Sequence, residues 1–381
     1  MQFKDIIGQT EVKERLIKAF KEGRIPHTQL FTGPEGSGSL PLAIAFSQYI
    51  NCENKTENDS CGQCSSCKKY EKFAHPDLHF IFPTNNQEGV KGNPSSELFI
   101  KQWIEYLQNV KGYATQNDWY AALNIGKKRG NIYTRDASNL IRNLGLHSYE
   151  APFKVAIIWM AERMDSSPAN KLLKTLEEPP PNTIIFLIAE RYELLLPTVR
   201  SRAQLIKVPK IKEEEIEKGL LEKLQPDEIK TDLKIVIKNA NGNWNKALQL
   251  ARQEDFTEEN FHEFREWMLL CYKHDYPEIF NFVQKMSARG REKQKSFLQF
   301  GLDVVSRSLN INNGHTQFIN GSSEEMNFYK NFSPLINEKN RQEFYEAFNE
   351  AIYQVDRNIH GGILFGDLSL TLVSLLYKGR K

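Results

Sequence analysis

Residues 33–40 of this 381-residue chain have the frame of a phosphate-binding loop but lack its two electrostatically active side chains. A working loop reads Gly, four residues, and then Gly-Lys-Ser/Thr. Its amides surround the phosphates, its Lys neutralises them and its hydroxyl binds Mg²⁺. Here Ser39 occupies the Lys position and Leu40 the Ser/Thr position. Because a neutral hydroxyl cannot offset the charge of a triphosphate and Leu cannot bind a hard cation, we expect no ATP hydrolysis. The glycines that remain are Gly33, Gly36 and Gly38.

Continuous apolar runs on both sides of this loop predict a parallel sheet. They occupy residues 29–32, 78–82, 155–159, 184–189 and 205–208. Runs that do not alternate with polar residues are typical of strands buried on both faces. The first run leads into the loop, and residues 42–50 have the pattern of a following helix, which is the context that a phosphate loop requires. We therefore predict an open α/β sheet of about five strands over residues 1–208.

The rest of the chain is predicted to be helical. After residue 208 the strand pattern disappears, and charged and apolar residues repeat at helical spacing until Asn241-Gly242-Asn243 interrupts them. We predict a small helical domain over 209–253 and an all-α domain over 254–381, with a polar loop at 310–323. A stretch rich in Gly, Asn, Pro and Ser at 83–97 is predicted to be a mobile insertion.

Four of the five cysteines lie close together within residues 52–67. They are Cys52, Cys61, Cys64 and Cys67. Four thiolates are a ligand set of tetrahedral zinc, and a tight cluster in a reducing compartment favours a metal site over disulfides. We predict a structural zinc ion, with an iron–sulfur cluster or four independent thiols as alternatives. His75 is a spare candidate ligand, but four sulfurs already complete the site.

The chain also lacks the acidic pair that ATP hydrolysis in such a fold requires. In an active site an Asp at the end of a hydrophobic strand holds Mg²⁺, and the following Glu polarises the attacking water. The run at 155–159 ends in Trp159-Met160 instead. Glu162 and Asp165 come later, in the wrong register, so we interpret them as helix-cap and surface acids.

One element of phosphate chemistry remains in the segment Thr198-Val199-Arg200-Ser201-Arg202-Ala203, which precedes the last predicted strand. An Arg on this turn would lie at the rim of the sheet and project away from its own loop. Its planar guanidinium suits a γ-phosphate held by a neighbouring subunit. The alternative is a surface Arg paired with a carboxylate.

These segments together resemble the clamp-loader subunits of bacterial DNA polymerase III, and most closely the delta-prime type. Besides the cysteine module, the matching motifs are His-x-x-Leu-Phe-x-Gly-Pro-x-Gly-x-Gly at 27–38, Asn-Lys-Leu-Leu-Lys-Thr-Leu-Glu-Glu-Pro-Pro at 170–180 and Thr-x-Arg-Ser-Arg at 198–202. The resemblance covers essentially residues 1–253 and is weaker over the helical C-terminal part.

The resemblance implies an AAA+ domain, related to P-loop NTPases, followed by a small helical lid and a helical collar that joins a hetero-pentameric ring. Arg202 would be the arginine finger for ATP bound in an adjacent gamma/tau subunit, with Ala203 in place of the family's usual Cys. Asn245 stands where ATP-binding members have a lid Arg that senses nucleotide. The implied role is to complete the ring with gamma/tau and delta, without binding ATP, and to support loading of the sliding clamp on primed DNA.

Two other functions remain open from the residues. The chain could be an active ATPase with a non-standard loop, for which Lys171 or Lys174 would supply the missing charge. Alternatively, the cysteine module could be a zinc-dependent DNA-binding element on a scaffold. The run Lys127-Lys128-Arg129 is interpreted as a solvated loop rather than a DNA contact, because short charge runs are usually solvated.

Composition adds only weak constraints on location and partners. The net charge of +2 gives no indication of nucleic-acid binding. No N-terminal segment has the pattern of a signal peptide, and the apolar runs read as too short to cross a bilayer. We expect a cytoplasmic protein without a membrane partner.

Overall fold

The computed structural model of the protein describes residues 1–87, 94–125, 128–229, 233–252, 258–312, 323–357 and 359–380. The chain forms two compact units, Met1–Arg252 and Gln253–Lys381. The further division of the first unit after residue 208 stays a prediction, although the helices beyond that residue share an apolar cluster of their own.

The predicted α/β fold is confirmed in the first unit. Its sheet consists of β1 (Thr28–Thr32), β2 (Leu78–Ile81), β3 (Lys154–Trp159), β4 (Thr183–Ala189) and β5 (Gln204–Lys207). The strands are all parallel, in the order β2-β3-β4-β1-β5. The three central strands are buried along their whole length, which is why their sequences do not alternate between apolar and charged residues. In a parallel sheet the carboxyl ends of the strands share one edge, and the loop at 33–40 follows β1 at that edge.

Helices cover the sheet and follow it. The helices before β5 are α1 (Thr10–Lys21), α2 (Ser39–Ile50), α3 (Ser65–Glu71), α4 (Ile100–Asn109), α5 (Gln116–Leu123), α6 (Thr134–Gly145), α7 (Ser166–Glu177) and α8 (Pro197–Arg200). Three more helices follow β5, namely α9 (Glu213–Lys223), α10 (Leu233–Ala240) and α11 (Trp244–Arg252). Helix α2 begins at Ser39, so it includes the last two residues of the loop frame, and it is buried from Leu40 to Ile50. The break predicted at 241–243 separates α10 from α11, as expected.

Between β2 and β3 the chain inserts α4, α5 and α6, and a buried aromatic cluster fixes this insertion to the sheet. The ring centroid of Trp103 lies 4.5 Å from Phe82, 4.8 Å from Trp119 and 4.9 Å from Trp159. Of the stretch predicted to be mobile at 83–97, residues 88–93 lie outside the described part of the chain. Its end is packed, because Ser96 is buried and its N–H donates to Asp136 over 2.7 Å.

The second unit is helical in its described residues, as predicted. It contains α12 (Glu258–Lys273), α13 (Tyr276–Ser287), α14 (Arg291–Asn312), α15 (Ser323–Phe332), α16 (Arg341–Asp356) and α17 (Gly361–Arg380). Of the loop predicted at 310–323, residues 310–312 belong instead to α14, and Ser323 is the first residue of α15. The residues between them lie outside the described part.

Helix α17 corrects the expectation that every apolar run is too short to span a bilayer. It is long and apolar enough to do so by length and composition alone. Phe365, Leu368 and Leu372 are nevertheless buried in the apolar core of the second unit, which is the pattern of a core helix.

Candidate functional site

The phosphate-loop frame lies where the sequence predicts it, between the carboxyl end of β1 and the start of α2. Ser39 is the first residue of α2, and its hydroxyl is 3.3 Å from that of Ser37. Leu40 is only 3% exposed and belongs to the apolar core of the sheet. The N-terminus of α2 therefore points its amides at the loop, but the two side chains that would neutralise phosphate and bind a cation are a hydroxyl and a core aliphatic group.

A small cleft of about 40 Å³ remains beside the loop. At that volume it holds only a few water molecules. Its walls come from the loop, the ends of β3 and β4, the α4–α5 connection and α11. They consist of Gly33, Pro34, Glu35, Gly36, Ser37, Gly38, Ser39, Leu40, Pro41, Tyr113, Ala114, Trp159, Ile188, Ala189, Glu190 and Asn245. This described lining contains no Lys or Arg, whereas it contains two carboxylates.

The electrostatic character of the cleft is acidic. Desolvation, together with the nearby carboxylates of Glu35 and Glu162, raises the pKa of Glu190 to about 7. A triphosphate in this cleft would add negative charge where the protein already places two carboxylates on the walls. Lys171 and Lys174, the lysines considered as substitutes, are exposed on α7 and do not line the cleft.

The end of β3 has Trp159 where an ATPase centre would have the first residue of its acidic pair, as the sequence indicates. Trp159 is 5% exposed and joins the aromatic cluster of the insertion. Asp165 occupies the N-cap position of α7 and is exposed. Glu162 is not a simple surface acid, because it accepts hydrogen bonds from the Glu190 and Arg191 N–H groups over 3.0 and 3.4 Å. Burial raises the pKa of Glu162.

The helices after β5 contact the loop directly. The Trp244 N–H donates to Gly36 O over 3.1 Å, and Asn243 Nδ2 donates to Glu35 Oε1 over 3.3 Å. Asn245 Nδ2 donates to the carbonyl of Tyr113 over 3.1 Å. Sequence analysis did not single out Tyr113, and the available signal was the Lys111-Gly112 turn that follows an amphipathic helix.

Arg202 lies at the amino ends of the parallel strands, whereas the loop lies at their carboxyl ends. It precedes the amino end of β5, whereas the loop follows the carboxyl end of β1, and β1 and β5 are parallel neighbours. Its Nε is 2.7 Å from Glu177 Oε2, and Nη1 donates to Thr198 O over 3.0 Å. The Arg202 side chain is 31% exposed and that of Glu177 58%. Arg202 therefore faces away from its own loop and is paired with a carboxylate that solvent reaches.

The structure brings the four clustered cysteines together. All four Sγ atoms lie within 4.8 Å of one another. The Cys52–Cys64 sulfurs are 4.0 Å apart and the Cys61–Cys67 sulfurs 3.9 Å. Tetrahedral zinc with Zn–S bonds of about 2.3 Å places its sulfurs about 3.8 Å apart. The donor set and its spacing therefore fit a tetrahedral metal ion, and His75 is not part of the cluster.

Backbone amides around this cluster stabilise thiolates. The Cys61 and Cys67 N–H groups donate to Cys52 Sγ and Cys64 Sγ over 3.2 and 3.4 Å. Hydrogen bonds from the amides of Gln63 and Cys64 lower the pKa of Cys61 to about 6. Burial raises the pKa values of Cys52 and Cys67. The turn between the cysteines passes through Gly62 at φ +72°, where a Cβ would lie 2.7 Å from Gln2 Oε1.

One basic and one acidic side chain near the cysteine module bond within the protein. Lys69 bonds to Glu150 over 2.6 Å, and Asp59 accepts the N–H groups of Phe3 and Lys4 over 3.0 Å each. Of the run at 127–129, Lys127 lies outside the described residues. Lys128 is exposed and donates to Asn86 O over 3.0 Å.

Comparison with known proteins gives consistent relatives. A family model described as "DNA polymerase III, delta subunit" matches residues 8–212, more than half of the chain. The DNA polymerase III subunit delta' of Bacillus subtilis (strain 168) is 26% identical over 298 residues, covering 78% of this chain and 74% of that protein. The subunit delta' of Escherichia coli (strain K12) is 28% identical over 192 residues, covering 50% of this chain and 45% of that protein.

The relatives also include gamma subunits and a solved structure. The DNA polymerase III subunit gamma of Buchnera aphidicola subsp. Acyrthosiphon pisum is 28% identical over 251 residues, covering 65% of this chain and 57% of that protein. A gamma subunit-related protein from Thermotoga maritima superposes with a TM-score of 0.44 at 16% identity, covering 97% of this chain and 99% of that one. The chain thus spans about three quarters of the Bacillus relative and about half of the other two.

Proposed function

The chain belongs to the DNA polymerase III delta-subunit family, with delta' subunits among its relatives, and from this membership we propose that it is a clamp-loader subunit that does not hydrolyse ATP. It completes the clamp-loader ring, a hetero-pentamer with gamma/tau and delta. It supports loading of the sliding clamp on primer–template DNA in the cytoplasm. We assign residues 1–208 to its AAA+ domain, residues 209–253 to its lid and residues 254–381 to its collar.

The observation that carries the non-hydrolysing assignment is the loop itself. Ser39 and Leu40 replace the cation and the metal-binding hydroxyl, and Leu40 is a core residue. The cleft beside them is small and acidic, with Glu35 and Glu190 on its walls. The missing cation, the missing metal ligand and the small volume of the cleft each oppose the binding of a magnesium–triphosphate complex.

Arg202 is proposed to act on a neighbour's nucleotide. The parallel register of β1 and β5 separates it from its own loop, and the solvent-exposed pair with Glu177 is weak enough to be exchanged for a phosphate. In the assembled ring its guanidinium would stabilise charge on the γ-phosphoryl group held by gamma/tau. An arginine supplied in trans in this way accelerates phosphoryl transfer by ~10³–10⁵.

The cysteine cluster is proposed to hold structural zinc. Four sulfur ligands at Cys52, Cys61, Cys64 and Cys67 leave no position for water or substrate, so the ion would stabilise the module and supply no catalysis. Lys69 is paired with Glu150 within the protein, which gives no support to a DNA-binding module. An ATPase with a substituted loop charge is likewise disfavoured, since Lys171 and Lys174 lie away from the cleft.

Reconstitution of the loader from this chain, gamma/tau and delta tests the proposal. We expect Arg202→Ala to reduce DNA-stimulated ATP turnover at the adjacent site by at least ~10³ while the ring still assembles. Arg200→Ala is the matched control, because this half-buried Arg lies two residues away and its guanidinium has no hydrogen bond or ion pair within the described chain. Equal turnover in the Arg202→Ala and native complexes would remove the assigned role.

A further inference from the structure

The connection between α4 and α5 is a rigid turn that reaches the phosphate-loop frame. Lys111 and Gly112 both have left-handed backbones, with φ of 48° and 77°. The Tyr113 N–H donates to Val110 O over 3.0 Å, and the Gly112 N–H donates to Leu107 O over 3.0 Å. A Cβ on Gly112 would lie 2.6 Å from Met1 Cε, so the turn passes close to the N-terminus of the chain. These contacts fix the direction in which the chain presents Tyr113.

Tyr113 fills space directly above the loop. Its side chain is 6% exposed, and a Cβ built on Gly38 would lie 3.6 Å from both its ring and its hydroxyl. The Tyr113 hydroxyl accepts the N–H of Ile7 over 2.9 Å. The residue therefore joins the segment before α1 to the last glycine of the loop.

Tyr113 also joins the helices that follow β5. It belongs to the same apolar cluster as Ile216, Val236 and Trp244, and its ring centroid is 6.3 Å from that of Trp244. Its carbonyl accepts from Asn245 Nδ2 over 3.1 Å. The bond from the Trp244 N–H to Gly36 O is a second link between those helices and the loop.

The other side of the insertion is anchored at the end of β3. Trp103 contacts Trp159 there and Trp119 of α5, and Tyr106 bonds to both backbone groups of Thr115 over 2.9 and 3.2 Å. The insertion thus spans from the end of β3 to α11 and passes over the loop between them.

We propose that Tyr113 takes the place of a nucleotide in this chain, linking the loop at 33–40 to α10 and α11 so that the lid keeps one position without any ligand. A nucleotide bound at a phosphate loop beneath a helical lid touches both, and can couple lid position to hydrolysis. Here Tyr113, together with the bond from the Trp244 N–H to Gly36 O, makes that link without a ligand. The lid should therefore stay fixed whether or not ATP is present, and whatever the role of Arg202.

Hydrogen exchange on the isolated 381-residue chain tests this link. Tyr113→Ala removes the ring and the acceptor for the Ile7 N–H, and we expect the Ile7 and Trp244 amides to exchange at least about tenfold faster, because a lost buried contact and hydrogen bond each weaken local closure. ATP with Mg²⁺ should leave the native pattern unchanged. The control is Tyr120→Phe, which removes a hydroxyl bonded to Gly130 O over 3.2 Å in the same insertion, away from α11.

Two outcomes would overturn the proposal. One is a folded Tyr113→Ala protein whose Trp244 amide exchanges at the native rate. If that variant does not fold, Asn245→Ala decides, since it removes only the bond to the Tyr113 carbonyl. A severalfold increase in Trp244 exchange supports the link, and an unchanged rate contradicts it. Because neither measurement involves gamma/tau, failure here leaves the arginine-finger proposal intact, and the converse also holds.

Discussion

Arg202 and Glu177 form an ion pair in which Nε lies 2.7 Å from Oε2. Glu177 is the last residue of α7 and Arg202 lies in the turn before β5, so the pair connects two motifs that are 25 residues apart. Both side chains are partly exposed, and exposed pairs of this kind contribute less than about 1 kcal/mol to stability. The pair therefore orients the guanidinium without binding it strongly, which is compatible with the role proposed for Arg202 at a neighbour's phosphate.

Substitution of Glu177 should free Arg202 rather than disable it. We predict that Glu177→Gln changes the free energy of unfolding by less than about 1 kcal/mol and leaves ATP turnover of the reconstituted loader at or above the native level. Glu178→Gln, at the next exposed position, is the control. Melting temperature and steady-state turnover are the measurements. Loss of turnover as large as that of Arg202→Ala would show that Glu177 has a role of its own.

Restoring the missing loop residues should not restore ATP binding. In Ser39→Lys/Leu40→Thr the loop has its cation and hydroxyl, but Tyr113 and the carboxylates of Glu35 and Glu190 remain in the cleft. Threonine at the buried position 40 should also reduce stability by about 1–3 kcal/mol, because its hydroxyl is buried without a designed partner. Isothermal titration with Mg-ATP checks the outcome, with Ser39→Ala as control. Saturable micromolar binding would contradict the account of the cleft.

The metal content of the protein should follow the cysteine cluster. We predict about one zinc per chain by elemental analysis and a large loss of it in Cys61→Ser. Cys271→Ser is the matched control, because Cys271 is buried in the second unit and contacts Ser369 O over 3.8 Å. The native protein should unfold at lower temperature after chelation, since bound metal contributes to folding. Iron with visible absorption, or equal zinc in both variants, would overturn the assignment.

The carboxyl of Glu190 should make stability decline with rising pH. Its pKa is raised to about 7, so between the ordinary value near 4.5 and pH 7 the folded state holds more protons than the unfolded state. Stability is therefore lost as the pH rises through that window. Glu190→Gln should match the native melting temperature at pH 4 and exceed it at pH 8. A difference that does not change between these pH values would remove the desolvated-acid interpretation.

The sheet was predictable because the buried strands contain short runs that do not alternate between apolar and charged residues. For example, β4 is buried from Thr183 to Ala189 and reads as seven consecutive non-charged residues. The location of the loop at the carboxyl end of β1 followed from the strand–Gly–helix order. The insertion was not predictable in the same way, since Trp103, Trp119 and Trp159 are distant in sequence and meet only in the tertiary structure. For the same reason the contact between Tyr113 and the loop had no local sequence signal beyond its turn.

The bonding of Glu162 was also outside the reach of sequence reasoning. Its position after β3 is visible, but its acceptance of the Glu190 and Arg191 amides depends on the adjacent strand β4. The cysteine cluster was the opposite case, because a short spacing limits where four sulfurs can lie. The structure accordingly places them within 4.8 Å of one another.

The central claim is that this chain serves a neighbour's nucleotide while its own loop stays closed to ATP. A structure of the reconstituted loader with a slowly hydrolysed ATP analogue tests it most directly. The account predicts the Arg202 guanidinium at about 3 Å from a γ-phosphate held by the adjacent subunit, with Tyr113 still above Gly38. A nucleotide and cation bound beside Gly38, or Arg202 still paired with Glu177 at a filled interface, would contradict it.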